Sequence, residues 1–231
     1  MNLSNPSQDH RLRLGIFGGT FNPIHQGHIQ AAKDVLGLYR LTRIHFIPCA
    51  SPPHKAEGEL AAAADRYHMV QTALAGEPAL AVSDVEIRRS GPSYTIDTLR
   101  HFRRGEARDA QLFFILGLDA FLEIDTWKSY RDMFQLAAFI VMARPQTPPP
   151  VQPWQTEVAE FARRRISEDY ALSGSGEALV HPRNEPIYLA LVTPVPISSS
   201  QIRKTIRQGR SFQDWVTPSV AAYIERKGLY R

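Results

Sequence analysis

Two histidines, His25 and His28, close a run that reads Gly15-Ile16-Phe17-Gly18-Gly19-Thr20-Phe21-Asn22-Pro23-Ile24-His25-Gln26-Gly27-His28. Glycine lets the backbone approach a ligand closely and turn its N–H groups toward it. A helix starting near Gly27 and His28 adds the preference of a helix N-terminus for anions, and two imidazoles supply further donors at the same place. The stretch from Gly18 to His28 therefore reads as a phosphate site. It is not a Walker loop, because no Gly-Lys-Ser/Thr follows, and its spacing does not fit the Gly-x-Gly-x-x-Gly of dinucleotide oxidoreductases.

Blander readings compete with that one. Gly18-Gly19 can be an ordinary tight turn, and a single histidine is usually a satisfied structural residue. The pair could ligate a metal, but no third ligand stands at zinc-like spacing, so no protein-held metal is expected. Near the other end, Ile197-Ser198-Ser199-Ser200-Gln201-Ile202-Arg203 is by itself only a serine N-cap ahead of a helix.

The elements around these runs follow from hydrophobic periodicity. Residues 12–17 predict a first strand, and 29–39 a helix with Ala32, Val35, Leu36 and Tyr39 on one face. Further strands are predicted over 43–48, 80–82, 111–116, 138–142 and 187–192, with 85–87 extending the third or forming a short one nearby. Helices are predicted over 61–75, 94–103, 119–124, 130–136, 199–208 and 218–227. Continuous apolar runs such as 111–116 suit buried parallel strands. Strands alternating with helices imply an α/β fold, a Rossmann-like doubly wound parallel sheet with a small C-terminal helical part. Ligands of such sheets bind at the carboxyl ends of the strands. Residues 12–231 read as one domain behind a polar tail, 1–11. The proline-rich 145–153 and glycine-rich 174–186 flank a predicted helix at 154–165, so 145–186 reads as an excursion from the sheet. Arg163, Arg164 and Arg165 read as a solvated helix end.

Composition sets outer bounds. The chain has 231 residues and 43% hydrophobic side chains, enough for a sizeable core. A net charge of +4 suits anionic metabolites and falls well short of the basic stripe of a nucleic-acid binder. The lone Cys49 excludes an internal disulfide framework and reads as a small apolar filler at a strand end. The polar start does not read as a signal peptide, and the apolar run 137–143 is too short to span a bilayer. A cytoplasmic protein without a membrane or nucleic-acid partner is expected; homo-oligomer formation is left open.

Gly-Gly-Thr-Phe-Asn-Pro-Ile-His-x-Gly-His, paired in order with Ile-Ser-Ser-x-x-Ile-Arg, resembles the signatures of the nucleotidyltransferase superfamily, which shares its His-x-Gly-His type motif with class I tRNA synthetases. Within it the chain resembles the bacterial nicotinate-nucleotide adenylyltransferases from about Leu14 to Arg231. Pro52-Pro53-His54-Lys55, Pro92-Ser93-Tyr94-Thr95-Ile96-Asp97-Thr98-Leu99, Gly117-Leu118-Asp119, Thr126-Trp127 and Ala143-Arg144-Pro145 also carry the likeness. Many members have Asp where this chain has Asn22, itself a familiar variant.

The resemblance implies adenylyl transfer from ATP to nicotinate mononucleotide, with Mg²⁺ carried by the triphosphate. It implies that backbone around Gly18, Gly19, Thr20 and Phe21, with His25 and His28, holds the ATP phosphates, His28 stabilising the reacting α-phosphoryl. Ile197, Ser198, Ser199 and Arg203 would bind the triphosphate tail, with His25, His28 and Arg203 the catalytic set. Asp119 would bind ribose hydroxyls, or cap a helix, or both. For the nicotinate nucleotide the resemblance implies Lys55, Thr95, Trp127 and Arg144; Trp127 could instead be core, and Arg144 could merely cap a strand. Rival readings are an adenylyltransferase for nicotinamide mononucleotide or phosphopantetheine, and a nucleotide sensor without turnover. Aminoacylation of tRNA does not fit, for want of an anticodon-binding module.

Overall fold

The computed structural model describes residues 11–51, 60–145 and 153–231. Its centre is an eight-stranded sheet in the order β3-β2-β1-β4-β5-β8-β7-β6. The strands are β1 (Arg13–Gly19), β2 (Arg43–Pro48), β3 (Leu80–Val82), β4 (Gln111–Gly117), β5 (Ala138–Ala143), β6 (Ala171–Leu172), β7 (Ala178–Val180) and β8 (Ile187–Leu191). From β3 to β8 every pairing is parallel. The expected doubly wound parallel sheet is thus present, and β7 and β6 extend its edge as antiparallel additions that make the whole sheet mixed.

Alternating side chains along the strands feed two apolar layers. On β4, Phe113 and Ile115 join one layer, while Leu112, Phe114 and Leu116 join the other. The first layer is closed by α1 (Gln26–Leu38), α2 (Ala63–Ala73), α8 (Ser199–Arg207) and α9 (Pro218–Lys227), through Val35, Met69, Ile202 and Val220. The second is closed by α4 (Thr95–Arg104), α6 (Tyr130–Leu136) and α7 (Trp154–Phe161), through Leu99, Phe134 and Val158. Gly15 sits where strands and helices crowd together. A Cβ there would lie 2.9 Å from both Ile115 and Ile44 and 3.0 Å from Leu41.

Two expectations need correction. Residues 85–87 form neither a strand nor an extension of β3 but part of the short helix α3 (Val85–Arg88). The apolar Val85 and Ile87 suggested a strand. Instead Glu86 is the buried residue and accepts a 2.6 Å hydrogen bond from the Thr98 hydroxyl on α4. The stretch 145–186 does not simply leave the sheet: Ala171–Leu172 and Ala178–Val180 return to it as an edge hairpin, turning through Gly176 at φ +73°. Neither short strand stands out from the glycine- and charge-rich sequence around it.

Within the same stretch α7 ends in a π-helical turn, Ala162–Ile166. It packs on α5 (Leu118–Leu122), with the Phe161 and Phe121 ring centroids 5.6 Å apart. Arg163, Arg164 and Arg165 are exposed, as a solvated helix end should be.

Candidate active site

The strand order reverses between β1 and β4, so chain leaves their carboxyl ends in opposite directions and opens a crevice there. β1 ends in Gly18-Gly19, and the following turn folds the Phe21 ring back over Gly19, where an added Cβ would meet it at 2.9 Å. Phe21 adopts φ +47°, an unfavourable conformation for a bulky residue. Burial of its ring against Phe17 and Phe46 offsets that cost.

His25 is the N-cap of α1 and only 3% exposed. Its ring stacks on His28 with centroids 3.7 Å apart. The His25 backbone N–H donates to Nδ1 of His28 at 3.3 Å, so in neutral His28 the ring hydrogen belongs on Nε2. Burial, and secondarily the Arg144 guanidinium, pushes the His25 pKa from 6.5 down to about 4. Burial also holds His28 well below its usual value, helped by His25 and then Arg144. Both imidazoles are therefore neutral at ordinary pH, each carrying one N–H. Arg144 is exposed at the end of β5. Its charge acts on both rings.

The serine run begins α8 as the sequence suggests, but its polar atoms are already engaged. Ser198 Oγ caps the helix by accepting from the Gln201 N–H at 3.1 Å. Ser199 Oγ donates to the Pro23 carbonyl at 2.9 Å. The buried Arg203 donates to the Asn22 carbonyl at 2.9 Å. Ile197 packs into the core. This C-terminal motif thus grips the loop after β1 at Asn22 and Pro23.

On the other side of the crevice, Asp119 is exposed in the first turn of α5. Gly117 occupies the N-cap, so the capping reading of Asp119 does not hold. Trp127 is half-buried, edge-on to Phe114 at 6.2 Å, and so belongs partly to the core and partly to the crevice wall. Thr95 opens α4. Lys128 ties the Trp127 segment to α4, its ammonium 4.4 Å above the Tyr94 ring and 3.4 Å from Asp97. Lys55 lies outside the described residues. Cys49 follows β2, and burial raises its thiol pKa, consistent with a filler role.

Three residues of this region carried no functional reading in the sequence. Arg66 on α2 is fully buried and bonds the Thr20 carbonyl at 2.8 Å. Tyr230 donates its hydroxyl to Asn22 Oδ1 at 2.9 Å. Glu86 braces α3 against α4. Arg66 did leave a signal, since it shares the helical spacing of the buried Met69, Val70 and Ala73.

Among the described residues no group of three His, Cys, Asp or Glu could hold a metal ion. Concavities of about 630 Å³ between α3 and α4 and about 740 Å³ beside α8 and α9 do not include the histidine pair. The site is therefore defined by its chemistry rather than by volume.

The Cytidylyltransferase-like family model matches residues 16–205. A protein of Desulfatibacillum aliphaticivorans named "Probable nicotinate-nucleotide adenylyltransferase" is 44% identical, over 95% of this chain and 100% of its own. The chain belongs to the nicotinate-nucleotide adenylyltransferase family. Another member, from Geotalea uraniireducens (strain Rf4), is 40% identical over 95% of this chain and 98% of its own. Nicotinic acid mononucleotide adenylyltransferase of Plasmodium falciparum, solved with NaAD, shares the fold at TM-score 0.68 and 19% identity, covering 95% of this chain and 97% of its own. In this adenylyltransferase family member the motif loop, both histidines and the C-terminal serine run meet at one end of the sheet. No described helix is long and apolar enough to cross a membrane.

Proposed function

We propose that the chain transfers the adenylyl group of ATP to nicotinate mononucleotide, giving nicotinate adenine dinucleotide and pyrophosphate. The observation that carries this reading is the stacked neutral pair His25–His28 at the N-terminus of α1 with Arg144 acting on it. That arrangement is made for phosphate oxygens.

The acceptor phosphate attacks the α-phosphorus of ATP, and the bond to the bridging oxygen of the leaving pyrophosphate breaks. A phosphate monoester has a second pKa near ~6 and is mostly dianionic at neutral pH, so no general base is required. The work is to bring two polyanions together and stabilise the charge that develops. His28 donates from Nε2 to the reacting α-phosphoryl group. His25, the α1 N-terminus and the backbone of Gly18, Gly19, Thr20 and Phe21 hold the neighbouring phosphates. Arg144 neutralises phosphate charge across the crevice. Ser198, Ser199 and Arg203 contribute to the triphosphate tail through the α8 N-terminus and by fixing the loop at Asn22–Pro23. Mg²⁺ is carried by triphosphate oxygens and water, in keeping with its preference for oxygen ligands and retained water.

Asp119 accepts from ribose hydroxyls, and Trp127 offers a ring face to the pyridine while the Thr95 turn faces its carboxylate. An acid-selective site needs N–H donors there, whereas an amide site needs an acceptor too. The deciding experiment compares kcat/KM for nicotinate and nicotinamide mononucleotides by pyrophosphate release. Preference for the acid is expected; a clear preference for the amide overturns the acceptor assignment. No turnover with either overturns the enzymatic reading.

A further inference from the structure

Arg66 is buried with 0% exposure, yet no carboxylate pairs with it among the described residues. Its partners are main-chain carbonyls from three separate segments. Nε donates to Ala61 at 2.9 Å, one terminal nitrogen to Thr20 at 2.8 Å, and the other to Ala50 at 3.1 Å. The Cys49 sulfur lies 3.9 Å from the terminal nitrogen that bonds Thr20. Removing a guanidinium from water is costly unless its donors are matched. A planar fork that reaches three carbonyls at once is a property of arginine that lysine lacks.

The three carbonyls matter for where they sit. Thr20 belongs to the phosphate loop. Ala50 follows β2, and its N–H donates at 2.9 Å to Ser93 Oγ, two residues before Thr95 on the opposite wall. The Ser51 N–H reaches the same hydroxyl at 3.4 Å. One continuous chain of bonds therefore runs from the phosphate loop through Arg66 and Ala50 to the start of α4. The planar peptide bond adds a second consequence. With the Thr20 carbonyl turned toward Arg66, the Phe21 N–H must point the opposite way, and it meets no acceptor among the described residues.

We infer that Arg66 is a positioning residue that sets the ATP half-site against the acceptor half-site, without touching either substrate. The inference rests on the adenylyl-transfer reading above. In-line displacement depends on the alignment of two bound molecules, and a shift of about 1 Å can cost roughly a hundredfold in rate. Loss of Arg66 should therefore lower kcat while each half-site still binds its own ligand.

The test uses the full chain carrying Arg66→Lys and, separately, Arg66→Gln, which is neutral and avoids burying an unmatched charge. ATP-binding stoichiometry and Kd are measured by calorimetry, kcat by pyrophosphate release, and folding by thermal melting. The expected result for a variant that melts cooperatively is about one ATP site per chain, a Kd within about threefold of the parent, and kcat lower by roughly 10- to 100-fold. Three outcomes overturn the inference for folded protein. One is an unchanged kcat per bound ATP. Another is a rate loss matched by an equal loss of ATP sites, the mark of a purely structural role. The third is a weakened ATP Kd at unchanged kcat, which confines Arg66 to the phosphate loop. Failure of both variants to fold even with ATP present also overturns it. If the parent chain itself releases no pyrophosphate, the adenylyl-transfer reading fails first and separately.

Discussion

The imidazoles of His25 and His28 lie 3.7 Å apart in a stack, and the backbone of the first fixes Nδ1 of the second as an acceptor. This leaves Nε2 of His28 as the hydrogen-bearing atom. His28→Ala should lower kcat by about 10²- to 10³-fold, the usual effect of losing one donor to a developing anion. Far-UV circular dichroism should be unchanged. Pyrophosphate release near the parent rate would remove His28 from the chemistry.

The same burial makes the site a proton-linked one. The folded-state pKa of His25 is depressed to about 4 from 6.5, so between these values the unfolded chain binds a proton that the folded chain refuses. Stability is therefore full above pH 6.5 and declines as pH falls toward 4, by on the order of 3 kcal/mol from this residue. A bound triphosphate reverses the electrostatics by favouring the charged imidazoles. Calorimetry of ATP binding between about pH 4 and 6.5 should show proton uptake by His25, read as a dependence of enthalpy on buffer ionisation heat. Buffer-independent enthalpies would mean that both rings stay neutral N–H donors with ATP bound.

Two glycines of the first strand should fail in different ways. At Gly19 a methyl group meets the Phe21 ring at 2.9 to 3.1 Å, and that ring lies edge-on to His28 at 5.2 Å. Gly19→Ala should raise the KM for ATP roughly tenfold, about 1.4 kcal/mol, with a small change in Tm. At Gly15 the methyl group meets core side chains. Gly15→Ala should cost about 1–3 kcal/mol of stability and leave ATP affinity of the folded fraction intact. Urea titration and ATP calorimetry on both variants separate the two effects.

Trp127→Ala should raise the KM for nicotinate mononucleotide by about 5- to 150-fold, matching stacking worth ~1–3 kcal/mol. The KM for ATP should stay within about twofold. Equal changes in both constants would assign Trp127 to the core alone.

The sheet and most helices were legible because long apolar strands and helix faces repeat with a fixed period. The histidine loop was legible because glycine, proline and histidine stand together in an unusual order. Other parts left weaker traces. Glu86 was hidden because a carboxylate between Val85 and Ile87 is by default the exposed member of an alternating strand. Arg66 was hidden by the same default, although its helical spacing put it on the buried face. The roles of Ser199 and Arg203 shifted because a motif names residues without saying which atoms are already engaged. The Tyr230–Asn22 bond spans 208 positions, and no local pattern announces such a contact.

The anchoring of Asn22 and Pro23 by Ser199, Arg203 and Tyr230, across 176 to 208 positions, also has a temporal meaning. A ribosome adding about 5–20 residues per second makes the loop roughly ten to forty seconds before the groups that brace it. The nascent chain can pair β1 with β2 early, but its nucleotide loop stays unbraced until α8 docks. A nucleotide that binds only the braced loop then stabilises that last docking step by mass action.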